Sequence, residues 1–181
     1  EAKNIGHLVR KVHDALKEDY QLIVVDDGSP DGTGVMAQKL SEKYPITVIQ
    51  RQGKLGLASA VIEGCNIAKG ELFCVMDADL SHPPELIPKL LQHLQATKAE
   101  IVVASRLVEG GGTENWPHSR QLTSYLATLV ARPLTKVNDP MSGFFLMKKE
   151  VIEQVDLTPK GYKILLEILV KGKYSSNSIS N

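Results

Sequence analysis

This sequence predicts an α/β domain with an open, mostly parallel sheet and helices on both faces. Short apolar runs alternate with segments of helical period, at the spacing of a doubly wound sheet. Leu22–Val25 and Leu72–Met76 are continuously apolar, as strands covered on both faces tend to be. Both runs stop abruptly in acidic clusters, Asp26-Asp27 and Asp77-Ala78-Asp79. Ligands of open α/β sheets gather at the carboxyl ends of the strands, so these acids stand where a site is expected.

The elements follow in order. Ile5, Leu8, Val9, Val12 and Leu16 recur at helical spacing, with Asn4 as the expected N-cap. The strand 22–25 leads through Asp26-Asp27-Gly28-Ser29-Pro30-Asp31-Gly32-Thr33 into a helix reaching about Lys43. Pro45 opens a strand over 46–49, and a helix follows from about Leu57 to Lys69. After the strand 72–76, Leu86, Ile87, Leu90, Leu91 and Leu94 mark one face of a helix, and a strand covers 101–104. The Gly-rich stretch 109–117 is expected to be a loop over the site, with a helix over 119–130 behind it. Asn138 to Gly143 forms a turn, 144–147 a strand, and two short helices come next. Ile164 to Val170 is apolar nearly all round, too short to span a membrane and therefore expected to be buried.

Composition narrows the function classes. Lys+Arg and Asp+Glu both number 21, which argues against a nucleic-acid binder with its basic face. Hydrophobic residues at 43% and charged residues at 23% suit a globular chain rather than a disordered one. Cys65 and Cys74 fit neither a zinc spacing nor a disulfide framework; they are expected as small core residues in a reducing compartment. The apolar runs are too short for a membrane span, and no secretory leader is read at the start. His82, His93 and His118 form no ligand constellation and are expected to be surface or structural. A doubly wound domain ordinarily opens with a strand, whereas this chain opens with a helix and closes on a Ser/Asn-rich tail. The expectation is one domain over 1–174, cut short at both ends, with a disordered tail over 175–181.

Asp77 and Asp79 lie two apart at a strand end, so their side chains can point to one side. Two hard oxygen donors in that relation suit Mg²⁺ or Mn²⁺, with substrate phosphates and water completing the shell. Asp27 can accept hydrogen bonds from a nucleobase edge or from ribose hydroxyls. The glycines around it permit tight turns, while Asp31 and Thr33 are expected only to make the turn and cap the next helix.

These residues match a known family. Val24-Val25-Asp26-Asp27-Gly28-Ser29-Pro30-Asp31-Gly32-Thr33, followed about fifty residues later by Met76-Asp77-Ala78-Asp79-Leu80-Ser81-His82-Pro83-Pro84, resembles the family 2 glycosyltransferases of GT-A fold. Glu114-Asn115-Trp116-Pro117, Asp139-Pro140-Met141-Ser142-Gly143-Phe144-Phe145 and Gly161-Tyr162-Lys163 extend the resemblance to the dolichyl-phosphate mannose synthases and related polyprenyl-phosphate sugar transferases. It covers nearly the whole chain, from Glu1 to about Tyr174.

The resemblance implies a nucleotide-diphosphate sugar donor, usually GDP-mannose, and a polyprenyl or dolichyl phosphate acceptor at the cytoplasmic face of a membrane. It implies that Val25 and Asp27 hold the nucleoside, and that Asp77 and Asp79 hold the metal on the diphosphate with Ala78 beside them. Ser81 falls where the family often has Gln near the metal. Arg106, Arg120 and Ser124 match positions for the acceptor phosphate, Lys163 matches one near the donor, and Glu1 matches the end of the family's Pro-x-Tyr-Asn-Glu segment. Asp79, Arg106 and Arg120 are the residues on which catalysis is expected to rest. The family's opening strand and its basic segment after Tyr174 have no counterpart in these residues, and any membrane anchor lies outside them.

A phosphate monoester acceptor, with a second pKa near 6, is largely a dianion at neutral pH and needs no general base. Cations must instead bring two anions together and stabilise the departing diphosphate, and direct displacement would invert the anomeric centre. The helix Gln121 to Val130 could lean on the membrane surface that carries the acceptor, although core packing explains its apolar face equally well. Three alternatives stand beside this one: a glucosyl or aminosugar transferase using a UDP-sugar, a non-catalytic nucleotide-binding remnant, and a response-regulator receiver. The receiver would need a Lys-Pro where this chain has Arg132-Pro133.

Overall fold

The computed structural model describes residues 1–105, 137–158, 163–175 and 178–180. Its first element, α1 (Ala2–Leu16), forms where the apolar spacing predicts, and Ile5, Leu8, Val9 and Val12 are all buried along one stripe. Glu1, not Asn4, is its capping residue; the Asn4 N–H is already inside the helix, donating to the Glu1 carbonyl at 2.8 Å. β1 (Leu22–Asp26) pairs in parallel with β2 (Ile46–Gln50), Leu22 opposite Ile46 and Asp26 opposite Gln50. Between them α2 spans only Thr33–Leu40, and residues 41–43 continue as turns before Pro45. Gly34 lets this helix approach the sheet: a Cβ there would stand 2.8 Å from Asp26 Oδ2 and 2.9 Å from Gln50 Nε2.

α3 (Leu57–Ile67) and β3 (Leu72–Val75) follow. A 3₁₀ turn, Pro84–Leu86, carries Leu86 directly into α4 (Ile87–Thr97), and β4 covers Ile101–Val103. The described residues from 137 onward add β5 (Phe145–Lys148), a second 3₁₀ turn (Lys149–Val151), α5 (Ile164–Lys171) and β6 (Ile179–Ser180). The second sheet runs β3-β5-β4-β6.

The α/β class and the open sheets agree with expectation; the strand directions agree only in part. The β1–β2 and β4–β6 pairings are parallel, but β5 lies antiparallel between β3 and β4. It takes the most protected place in that sheet because Phe145, Leu146 and Met147 are apolar on both faces, each no more than 1% exposed. Side chains alternate across the sheet: Val102 and Leu146 face α4 with Leu94, while Ile101, Val103, Phe145 and Met147 join Ile164, Leu165 and Ile168 of α5. On the other side of the molecule α1, Ala37 of α2 and Ile87 of α4 close over Val24, Val48 and Phe144. Helices therefore cover both faces.

Three further expectations need correction. Cys65 packs half-buried against the α5 core, but Cys74 is exposed on β3. Val170 is 53% exposed, so the apolar α5 is not buried all round. The Ser/Asn tail is ordered at Ile179–Ser180, which lies beside β4 as an edge strand. The backbone of Glu100 and Ile101 donates to the Ser178 carbonyl, and the Glu100 carboxylate takes the Ser175 N–H and the Ser178 hydroxyl. Those partners supply what apolar periodicity could not. No helix among the described residues is long and apolar enough to cross a membrane.

Candidate active site

The first wall of the site begins where β1 ends. Asp26 is buried, its Oδ2 accepting the Ser29 N–H at 3.1 Å, so it serves the loop rather than a ligand. Asp27, one residue on, is half-buried and ion-paired with Arg51; its Oδ2 accepts the Gly56 N–H at 3.1 Å. Gly28 adopts φ +68°, the left-handed turn that glycine takes without strain, and brings the loop against Arg51. Asp31 Oδ1 accepts both the N–H and the hydroxyl of Thr33 at 3.1 and 2.6 Å, and its Oδ2 takes the Ala2 N–H at 3.0 Å. Asp31 and Thr33 make the expected turn, but the N-cap of α2 is Gly32, with Thr33 already its first helical residue; the Asp31 carboxylate also ties Glu1-Ala2 to this loop. The Val25 side chain points under α3, 3.5 Å from where a Cβ of Gly64 would be. A contact from Val25 to a ligand would therefore have to come from its backbone.

The second wall is the loop after β3. The Asp77 N–H donates to His82 Nδ1 at 3.1 Å, and His82 Nε2 lies 3.8 Å from Asp77 Oδ2. His82 is buried, its ring stacked on Phe144 with centroids 5.3 Å apart. Its expected structural role is met, and its partner is the candidate metal ligand itself. Asp79 is exposed and accepts the Ser81 N–H at 2.8 Å. Burial opposes its ionisation, but the Ser81 hydroxyl and N–H, with His82 nearby, hold its carboxyl below the usual value. Leu80 between them sits at φ +67°, an uncommon conformation for a branched residue and a sign that the loop is held in a fixed shape.

The turn Asp139 to Phe144 closes the floor. Ser142 Oγ donates to the Ala104 carbonyl at 3.0 Å and accepts the Phe144 N–H at 3.1 Å, locking the turn to the end of β4. This sets Gly143 against the acids: a Cβ there would be 2.9 Å from Asp77 Oδ2 and 3.0 Å from His82 Cε1. The sequence-derived list omits Arg51, His82 and Gly143 as site residues. Arg51 could have been found as a lone cation just past the end of β2, level with the acids after β1; His82 and Gly143 carry no chemistry that spacing could reveal.

Asp77 and Asp79 together offer two hard carboxylate donors flanking Ala78. Among the described residues no group of three or more His, Cys, Asp or Glu side chains converges on a cation position. Two carboxylates with the remaining shell left to phosphate and water match how Mg²⁺ is ordinarily bound. Lys163 is exposed just before α5. Arg106, Arg120 and Ser124 lie outside the described residues, as do the loop 109–117, the helix expected over 119–130, His118, Arg132-Pro133 and Gly161-Tyr162.

Comparison with known proteins places the chain in a family. The model of glycosyl transferase family 2 matches residues 1–156. The chain is 49% identical to a dolichol-phosphate mannosyltransferase of Pyrococcus furiosus, over 97% of this chain and 51% of that protein. It is 41% identical to the dolichol-phosphate mannosyltransferase of Saccharomyces cerevisiae, over 83% of this chain and 58% of the relative. The chain thus spans about half the length of the curated relatives it matches. Among solved structures, glucosyl-3-phosphoglycerate synthase from Mycobacterium tuberculosis with Mn²⁺, UDP-glucose and phosphoglyceric acid superposes with a TM-score of 0.73 at 20% identity, covering 99% of this chain and 64% of that one. A mannosyltransferase from Pyrobaculum calidifontis in complex with GDP-Man and Mn²⁺ superposes at 0.62 and 20% identity, covering 88% and 44%. At such identities these neighbours establish the fold. The chain belongs to glycosyl transferase family 2, and the receiver alternative falls away.

Proposed function

We propose that this family 2 glycosyl transferase chain is the catalytic domain that moves mannose from GDP-mannose to a polyprenyl or dolichyl phosphate, inverting the anomeric carbon. The observation that carries the reading is the placement of Asp27 and the Asp77/Asp79 pair just past the carboxyl ends of β1 and β3, in a chain 49% identical to a dolichol-phosphate mannosyltransferase.

Asp77 and Asp79 would hold Mg²⁺ or Mn²⁺, which when bound neutralises charge on the departing diphosphate. Asp27 accepts a nucleoside N–H or a ribose hydroxyl, and Val25, Ala78, Glu1 and Lys163 border the donor. Ser81, whose backbone N–H orients Asp79, stands beside the metal position with the Asp77/Asp79 pair. Arg106, Arg120 and Ser124 gather the acceptor phosphate, whose own charge makes it the nucleophile, so no side chain is needed to remove a proton. The acceptor is a lipid, so the enzyme works at the cytoplasmic surface of a membrane.

The test is transfer of radiolabelled mannose from GDP-mannose to dolichyl phosphate in detergent micelles by the full-length protein. A β-linked mannosyl lipid, lost on chelation and in Asp79→Ala, is the expected product. An α-linked product, undiminished transfer by Asp79→Ala, or faster transfer from UDP-glucose would overturn the proposal.

A further inference from the structure

Arg51 is the one Lys or Arg buried among the described residues. Taking a guanidinium out of water costs several kcal/mol unless its donors are met, and a well-packed apolar residue often serves stability as well or better. Here the cation is engaged on three sides. Nη1 donates to Ser59 Oγ at 2.7 Å, Nη2 donates to the Gly56 carbonyl at 3.0 Å, and the group pairs with Asp27 Oδ1. Glu63 lies 3.7 Å away, while Nε is buried with no partner. The planar fork thus joins the loop after β1, the Gly-rich turn after β2 and the first turn of α3.

The consequence falls on Asp27. Its Oδ1 is sealed from solvent against Arg51, and Oδ2 accepts the Gly56 N–H. The side chain is nonetheless 27% exposed, and Oδ2 keeps a lone pair beyond the one that takes the Gly56 N–H. Held from two sides, the carboxylate keeps its plane, because tilting it would weaken both contacts. We propose that Arg51 is a positioning residue for nucleotide recognition: it fixes Asp27 so that one oxygen, already oriented by Gly56, meets a single ligand N–H or O–H. This rests on the nucleotide-binding role given to Asp27 above. Arg51 itself, walled behind Asp27, does not touch the ligand.

Titration calorimetry of the full-length protein with GDP, in Mg²⁺ or Mn²⁺, tests it with Arg51→Lys, Asp27→Asn and the double variant. Lysine keeps the charge and loses the fork. Each single variant should weaken GDP roughly tenfold, the worth of one charge-assisted hydrogen bond. In the Asp27→Asn background, Arg51→Lys should add less than about a twofold loss, because its effect passes through Asp27. The donor KM should rise while kcat holds at saturating donor. Wild-type affinity in Arg51→Lys, losses that multiply in the double variant, or a fall confined to kcat would overturn the proposal. Should Arg51→Lys fail to fold, Ser59→Ala removes one anchor of the guanidinium: weaker GDP binding at an unchanged melting temperature supports the role, and unchanged binding rejects it. Wild-type protein that binds neither GDP nor UDP would instead remove the functional reading beneath it.

Discussion

His82 Nδ1 accepts the backbone N–H of Asp77 at 3.1 Å, so the neutral ring carries its proton on Nε2, the atom 3.8 Å from the Asp77 carboxylate. One buried imidazole thereby holds the main chain of the first acid in the Asp77/Asp79 pair and stands beside its carboxylate. Stacked on Phe144, it has little room to turn.

His82→Ala leaves the Asp77 N–H without its acceptor, at a cost of about 1–3 kcal/mol, and loosens the loop that carries the carboxylate. Partners of this kind are typically worth about 10–100-fold in metal affinity. The variant should melt lower and need more Mn²⁺ for half-maximal transfer. His82→Asn, whose amide oxygen can take the Nδ1 position, should recover part of both losses. Equal metal dependence in all three proteins would show that the imidazole only fills space.

Gly143→Ala probes the same floor from below. Its Cβ would press on Asp77 Oδ2 and His82 Cε1, with the Asp139–Phe144 turn held in place by Ser142. Overpacking of this sort costs about 1–3 kcal/mol. Asp77 can yield more readily than the turn, so transfer should fall much further than stability. Assay and thermal melt on one preparation decide it; intact transfer would mean the turn gives way instead.

Asp27, Asp77 and Asp79 were legible because acidic residues after apolar runs are a one-dimensional signal, and topology does the rest. β1 through β4 could be bounded to within a few residues for the same reason. The antiparallel place of β5 was not legible, since Phe144–Met147 reads as a buried strand in either direction. Nor was β6, whose order comes from Glu100 rather than from any period in the tail. Arg51 and His82 act through partners 24 and 5 residues away in sequence (Asp27 and Asp77), and only folding brings such pairs into contact.

Two helical glycines should respond to alanine with opposite signs. At Gly34 a Cβ meets the buried Asp26 carboxylate, which Ser29 holds in place. The gain of up to about 1 kcal/mol in helix propensity is outweighed there by a similar or larger clash. At Gly6, within α1, a Cβ meets nothing within 4 Å. Gly6→Ala should therefore raise the urea midpoint and Gly34→Ala lower it; the same sign for both would mean that α2 can lift off the sheet cheaply.

The last prediction concerns acid. The Ser178 hydroxyl and then the Ser175 N–H hold the Glu100 carboxyl below its usual value, with Lys148 adding a little in the same direction. A carboxyl whose folded pKa is depressed contributes stability that is full above its unfolded value, and that contribution is lost as pH falls through the folded value. Tail docking should thus be constant from neutral pH down to about the ordinary glutamate value of 4.5 and weaken below it. The Ile101 amide, which donates to the Ser178 carbonyl at 3.2 Å, reports on it through its hydrogen-exchange protection after correction for intrinsic rate. Glu100→Gln should loosen the tail at neutral pH and remove the acid step, because a neutral amide accepts these bonds more weakly at every pH. Protection that falls with acid equally in wild type and variant would assign the step to another group and detach β6 from Glu100.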